Sequence, residues 1–392
     1  MKKLSLFTLI GMIAGILVGF LMPDIAPAVS FIGTYYITVL KAMIGPVIFC
    51  SICVSIYDAR NRSDKMVIKS VITFIVMFVV SFLLSSLLVV LIDPANGFVI
   101  QAQEYEGVIQ EFHFLDMIKN LFPKSLKDIF VSPKVFFIIA IAYLCGFFIG
   151  KINDDSALIK GVRHLKDFLF KVLGYVMFVT PFAAFSLMST TVANNGILLL
   201  GVGVRYILTA YLCGLTVMIV VMILPVWLIS RRNPFVYIQK IYKIWIMTLT
   251  TCSSAATLPY TMKTCKEDLG IPDRISDVVV PLGCTIHMCG GAVSFALLGL
   301  FNASLYGMEV SFGTFMVMIA ASLAINMAAP GIPNGGVVIG ATYLQLLGLP
   351  LGFIGFYSGI YKLLDMLYTT LNVTGDITAN VLLETLVLKK ES

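Results

Sequence analysis

Apolar runs of about 20 residues recur along this chain, each bounded by short polar stretches. At 1.5 Å of rise per helical residue, such a run crosses a hydrocarbon core about 30 Å thick. Six spans are expected before residue 233, at about 5–22, 32–57, 68–92, 134–150, 168–188 and 198–229. The fourth is ragged, because the polar stretch FPKSLKDIFVSP precedes its apolar part. The first run, LSLFTLIGMIAGILVGFLMP, follows Lys2 and Lys3 as a signal peptide would. It has no small-residue cleavage site and more spans follow, so it is read as a retained span. The expected class is an all-α polytopic membrane protein.

The pattern changes after residue 233. Two apolar segments, WIMTLTTCSSAATLPYTM (245–262) and FMVMIAASLAINMAAPGIPNGGVVIGATYLQLL (315–347), each break near the middle, at TCSSAATLP and at AAPGIPNGG. Proline has no amide hydrogen and glycine resists helical order, so both tips are expected to be non-helical. Irregular backbone is not tolerated against lipid and has to be buried in protein or line an aqueous cavity. Two re-entrant helical hairpins meeting at mid-membrane are the economical reading, and ordinary kinked spans are the alternative. Between them runs a seventh segment, ISDVVVPLGCTIHMCGGAVSFALLGLF (275–301), itself interrupted at HMCGG, and beyond them an eighth, about 352–388. Broken apolar segments in corresponding positions point to a transporter core with inverted repeats.

The eighth segment carries two carboxylates, Asp365 in YKLLDMLYTT and Asp376 in TLNVTGDITAN. A helix turns about 100° per residue, so an eleven-residue step returns to within about 20° of its start. Asp365, Thr369, Asn372 and Asp376 therefore form one polar stripe. A charge at mid-bilayer costs at least about 2.5–3.5 kcal/mol, so two on one stripe imply a cavity with a cation or an ammonium as partner. Lys362, three positions from Asp365, is the alternative partner for that acid. Asp376 has no such neighbour in sequence. Its oxygen-rich surroundings suit a hard monovalent cation such as sodium.

Composition supports this picture. Of 392 residues 59% are hydrophobic and 12% charged, against about 25% charged in a soluble domain. Arg60, Arg62, Lys65 and Lys69, then Lys160, Arg163, Lys166 and Lys171, then Arg231 and Arg232, then Lys389 and Lys390, cluster in alternate connections, while 93–116 is rich in acids. Cationic loops stay on the cytoplasmic side, which places both termini inside, in the cytoplasmic (inner) membrane of a cell. The net charge of +6 is thus a topology signal and gives no support to nucleic-acid binding. The eight cysteines lie scattered in apolar segments, and the one CxxC, Cys50 and Cys53, has no second pair, so they read as structural thiols.

TCSSAATLP, PLGCTIHMCGG, APGIPNGG and LLDMLYTTLNVTGD, in this order and spacing, resemble the dicarboxylate/amino acid:cation symporters, which include glutamate/aspartate transporters and neutral amino acid exchangers. GPVIFCSI and FPKSLKDIF extend the resemblance over most of the chain. It implies eight transmembrane helices plus two re-entrant hairpins, a homotrimer, and an elevator mechanism. The implied division is 1–67 and 93–190 as scaffold, with a transport part of 68–92, 191–233, hairpin 234–268, 275–304, gating hairpin 312–347 and 352–388.

By the resemblance, Asp365 binds an α-ammonium beside Thr369, and Asn372 and Ser254 meet the α-carboxylate. Ser253, Gly291, Ile332, Pro333, Gly335 and Tyr368 complete the implied substrate set. Family members that take acidic substrates have an arginine where this chain has Tyr368, and a threonine where it has Gly291. A side-chain carboxylate would be desolvated unpaired there, at a cost of several kcal/mol. The expected substrate is a neutral, zwitterionic amino acid. Implied sodium ligands are Asp376, Asn372, Gly283, Thr285, Met288, Asn326, Met327 and Ala329. The family's NMDGT reads HMCGG here, so the sodium site that uses its asparagine and aspartate is expected to be lost at His287 and Cys289. His287 is either a proton site or a hydrogen-bonded core histidine. Competing readings are proton coupling, sodium-independent exchange of neutral amino acids or cystine, and an acidic substrate held by a different cation. A channel and a serine–histidine intramembrane enzyme are weaker; the latter needs the pair within hydrogen-bond reach plus an orienting group, and two serines in a tandem tip fit ligand contacts better.

Overall fold

A computed structural model describes residues 2–60, 65–98, 135–152, 157–195, 198–326 and 335–391. Among the described residues every regular element is helical. The first half comprises α1 (Lys2–Leu21), α2 (Ala26–Arg60), α3 (Lys65–Ile92), α4 (Val135–Ile152), α5 (Ala157–Met177) and α6 (Thr180–Asn195). α7 (Leu198–Val217) runs through a π-turn, Met218–Ile223, into α8 (Leu224–Leu228). The second half comprises α9 (Pro234–Thr251), α10 (Ser254–Lys263), α11 (Asp273–Ile286), α12 (Cys289–Leu305), α13 (Phe312–Asn326), α14 (Gly335–Leu346) and α15 (Ile354–Glu391).

Three helical stretches of the described residues are long and apolar enough to cross a membrane: Lys65–Ile92, Gly201–Leu228 and Asp273–Leu305. Ile10–Leu21 and Pro23–Tyr36, bent by 114° at Pro23, qualify together. Their outward faces are apolar at helical spacing, as with Ile68, Ile72, Val76, Val80, Leu83 and Leu87 on α3 and Val204, Leu208, Leu212 and Leu215 on α7. A soluble protein does not expose such stripes; a lipid-facing helix does.

One expected span is divided. The pattern predicts a helix over 168–188, but α5 ends at Met177 and α6 begins at Thr180. Pro181 follows Thr180, and proline disfavours helical backbone in the residue before it while fitting the first turn of a new helix. α5 is strongly amphipathic, with Lys160, Arg163, Lys166 and Lys171 on one side, so apolar content alone misplaced its limits.

The helices form two packing groups. α1 lies along α6, and α2 along α4, α5 and α6. α3, α7 and α9 to α15 pack among themselves, with α12 against α3 and α15 against α9, α11 and α12. α15 has 38 residues, about 57 Å of rise, and is buried almost continuously from Leu364 to Glu384.

Hydroxyls fasten this helix to α9 turn by turn. Thr370 meets Thr248 at 2.8 Å, Thr374 accepts from Trp245 Nε1 at 2.9 Å, and Thr378 meets Tyr237 Oη at 3.0 Å. The i, i+4, i+8 spacing puts these threonines on one face. The neighbouring face carries the acids.

Candidate functional site

The sequence breaks its helices where the site forms. α9 ends at Cys252, whose left-handed backbone (φ 48°) lets its N–H bond Thr248 O at 2.8 Å. Ser253 is extended, and its side chain caps α10 by accepting from Ala256 N at 3.3 Å. Between α11 and α12, His287 and Met288 are both non-helical, so carbonyls of the last turn of α11 lack the partners that a continuing helix would supply.

One cavity gathers these ends, with a free volume of ≈ 60 Å³. It is lined by Cys252 and Ser254 of the hairpin tip, Met288, Gly291, Ser294 and Phe295 of α12 and its approach, Asn326, Gly336 and Ile339 of α13 and α14, and Tyr361, Asp365, Tyr368, Thr369 and Asn372 of α15. The first turns of α10, α12 and α14 all border it through Ser254, Gly291 and Gly336. A helix N-terminus carries about half a positive charge, so the cavity offers a place for an anion without any cationic side chain. Opposite stands Asp365, buried, with Thr369 Oγ1 donating to its Oδ1 at 3.3 Å.

Asn372 is oriented by Gly290, whose N–H donates to Asn372 Oδ1 at 2.8 Å. A backbone N–H can only donate, so this fixes the amide's oxygen and turns its NH₂ group the other way. Asn326 donates from Nδ2 to Met288 O at 3.2 Å. A methyl group on Gly291 would collide with the Asn326 amide oxygen, so the missing side chain at 291 lets α13 reach the α11–α12 break as well as widening the cavity.

Next to the cavity, the second carboxylate has a partner. Asp376 Oδ1 lies 2.9 Å from His287 Nδ1, and His287 Nε2 lies 3.0 Å from Cys289 Sγ. The ring stacks on Phe74 at 4.5 Å between centroids, 13° from parallel. With the carboxylate accepting from Nδ1–H, Nε2 is left to accept from the thiol, which satisfies a neutral imidazole at both nitrogens. Gly283 packs so closely on Asp376 Oδ1 that a Cβ there would overlap it.

The chain matches a family of known proteins over residues 4–386. It belongs to the sodium:dicarboxylate symporter family. Similar curated proteins include a putative sodium-dependent excitatory amino acid transporter, glt-4, of Caenorhabditis elegans, 25% identical over 98% of this chain and 89% of that protein. Human excitatory amino acid transporter 2 is 25% identical over 94% of this chain and 76% of its own length. Human excitatory amino acid transporter 1 is 30% identical over 59% and 43%. The chain is therefore an integral membrane protein of a transporter family.

Of the substrate residues expected from the sequence, the structure brings Ser254, Gly291, Asp365, Tyr368, Thr369 and Asn372 to one cavity. Ser253 caps α10, Gly336 borders the cavity, and the surroundings of Gly335 lie outside the described residues. Ile332 and Pro333, with the expected cation ligands Met327 and Ala329, lie outside the described residues. Met288 and Asn326 meet at the cavity. Thr285 is exposed and its hydroxyl bonds Leu282 O in its own helix at 2.7 Å. The Gly283 carbonyl accepts the His287 N–H at 2.8 Å. Sequence reasoning missed Cys252, Ser294, Ile339 and Tyr361 as lining residues. Tyr361 and Ser294 were legible in principle, lying a helical turn from Asp365 and from Gly291.

Proposed function

We propose that this symporter takes up a neutral, zwitterionic amino acid coupled to sodium. The observation that carries the reading is the cavity's charge: one carboxylate, Asp365, and no arginine, lysine or histidine among the described lining residues. Asp365 pairs with the α-ammonium. The Asn372 NH₂ group, Ser254 and the converging helix N-termini hold the α-carboxylate. A second carboxylate would find no cation among the described lining residues and would cost several kcal/mol to desolvate.

Sodium enters through the family and through two groups of oxygen ligands, Asp376 with Asn372, and the carbonyls about Met288 with Asn326. His287 and Cys289 fill one cation position with their own hydrogen-bonded pair, anchored on Asp376, so fewer sodium ions move per cycle. α1, α2 and α4–α6 pack mostly among themselves, meeting the rest chiefly through α6 against α15 and α2 against α14, which supports a fixed scaffold and a moving transport part, working as an elevator in a homotrimer. Basic connections put both termini on the cytoplasmic side of the cell membrane.

The test is thermal stabilisation of the purified protein by each proteinogenic amino acid and cystine, with and without sodium. Ligand at 100 times its Kd adds about 2.7 kcal/mol, enough to register. The reading expects sodium-dependent stabilisation by neutral amino acids. Preferred stabilisation by aspartate or glutamate would overturn it and point to Lys362, which neighbours Cys252 at the cavity edge, as an acidic substrate's anchor.

A further inference from the structure

Away from the substrate cavity, a cation heads one of the lipid-facing stripes. Arg205, Leu208, Leu212, Leu215 and Ile219 of α7 and the turn that follows it are all exposed and fall at steps of three and four residues, so they share one face. From Leu208 to Ile219 the rise is about 16 Å, close to one leaflet of a hydrocarbon core about 30 Å thick. Arg205 stands one turn beyond, beside the turn that closes α3. Its Nη1 donates to Asn96 O at 2.9 Å, and its guanidinium lies over the Phe98 ring, 5.4 Å from the centroid. Among the described residues no carboxylate pairs with it. A guanidinium carries several N–H donors, and one carbonyl leaves most of them to offer.

Arg205 borders an open depression of ≈ 560 Å³, together with Asp93, Thr209, Ile92 and Leu208. Leu208 belongs both to the depression and to the stripe, so the two are continuous. Asp93 ends α3 in the left-handed conformation (φ 41°), which aspartate tolerates better than most residues. Ser304 Oγ donates to its Oδ1 at 2.9 Å, and the other carboxylate oxygen is left to accept. The depression thus holds a cation with spare donors and an anion with a spare acceptor, and no ion pair joins them.

We propose that this depression holds the headgroup of an ethanolamine phospholipid, with the phosphate on Arg205, the ammonium on Asp93, and an acyl chain along Leu208, Leu212, Leu215 and Ile219. The planar guanidinium fork matches phosphate oxygens, and an ammonium supplies the N–H donors that the free Asp93 oxygen can accept. A choline headgroup offers the same phosphate but has no N–H to give. A glycerol headgroup sets a phosphate beside Asp93 with no cation of its own to offset that carboxylate. Both bind less tightly. Charges of both signs at the head of a one-leaflet apolar stripe fit a zwitterionic lipid better than a peptide or a second copy of the chain.

The experiment follows thermal unfolding of the full-length protein, stripped of lipid in detergent, as dioleoyl phosphatidylethanolamine, phosphatidylcholine or phosphatidylglycerol is added. O-phosphoethanolamine, which has the headgroup and no chains, is a fourth arm. The half-saturating concentration should be at least fivefold lower for the ethanolamine lipid than for the other two, with no shift from O-phosphoethanolamine over the same range. Arg205→Gln can still donate to Asn96 O and should raise the ethanolamine value at least tenfold. Asp93→Asn keeps the left-handed turn and the Ser304 bond, and should bring the ethanolamine and choline values within twofold of each other. Equal values for the three lipids, no shift with any of them, or an equal shift from O-phosphoethanolamine overturns the inference. Should Arg205→Gln not fold, Asp93→Asn decides alone: a lost preference supports the inference and an unchanged one overturns it.

Discussion

Replacing Asp365 by Asn tests the site at the one carboxylate among its described lining residues. The side chain is 6% exposed and accepts from Thr369 Oγ1 at 3.3 Å. Asparagine keeps the shape, and its amide oxygen still accepts from Thr369, so the empty protein is expected to unfold within about 1 kcal/mol of the native one. Substrate binding is a different matter. Removing one member of a buried charge pair costs about 3–5 kcal/mol, because the other charge is left uncompensated. At 1.4 kcal/mol per factor of ten, affinity for a neutral amino acid should fall about 150- to 4,000-fold. The assay is equilibrium binding of labelled substrate in saturating sodium, paired with melting of the ligand-free variant. A cycle using the corresponding 2-hydroxy acid isolates the ammonium: native protein should bind it poorly, and Asp365→Asn should weaken it little further. Affinity of Asp365→Asn for the amino acid within threefold of native would refute the assignment, as would equal losses for both ligands.

Other parts of the account make their own predictions. Gly283→Ala puts a methyl where Asp376 Oδ1 lies, so the sodium concentration for half-maximal uptake should rise at least tenfold; an unchanged sodium curve contradicts a cation role for Asp376. Arg232 Nη2 lies 2.6 Å from Glu384 Oε2 and Nη1 donates to Leu269 O at 3.0 Å, pinning α15 to the base of the first hairpin. The pair is partly exposed, so Glu384→Ala should cost about 1–3 kcal/mol in thermal unfolding, less when combined with Arg232→Ala. Trp245→Phe removes the bond to Thr374, which keeps its 2.6 Å bond to Thr370 O, and should cost about 0.5–1.5 kcal/mol by the same measurement.

Much of the site was legible because helical periodicity is strict. Asp365, Thr369 and Asn372 fall at i, i+4 and i+7, and one unbroken helix carries them to one cavity. The tip at Cys252 and Ser253 and the break at His287 and Met288 also fall where small or awkward residues interrupt apolar runs. What periodicity cannot express is contact between segments. His287 and Asp376 are 89 residues apart, and only the packing of α11 on α15 shows that the imidazole already holds the carboxylate that sequence reasoning left for a cation alone. Thr370, Thr374 and Thr378 look in sequence like helix threonines bonding their own turn. Their partners Thr248, Trp245 and Tyr237 lie in a hairpin whose angle to α15 no local pattern sets. The division at Thr180 was readable from Pro181 but was hidden by continuous apolar character.

The most direct test of a cavity that takes one ammonium and no second carboxylate is uptake into proteoliposomes under an imposed inward sodium gradient, with labelled serine and labelled aspartate in parallel. The account predicts serine accumulation that collapses with the gradient, and aspartate uptake at the level of empty vesicles. Accumulation of aspartate above serine would contradict it.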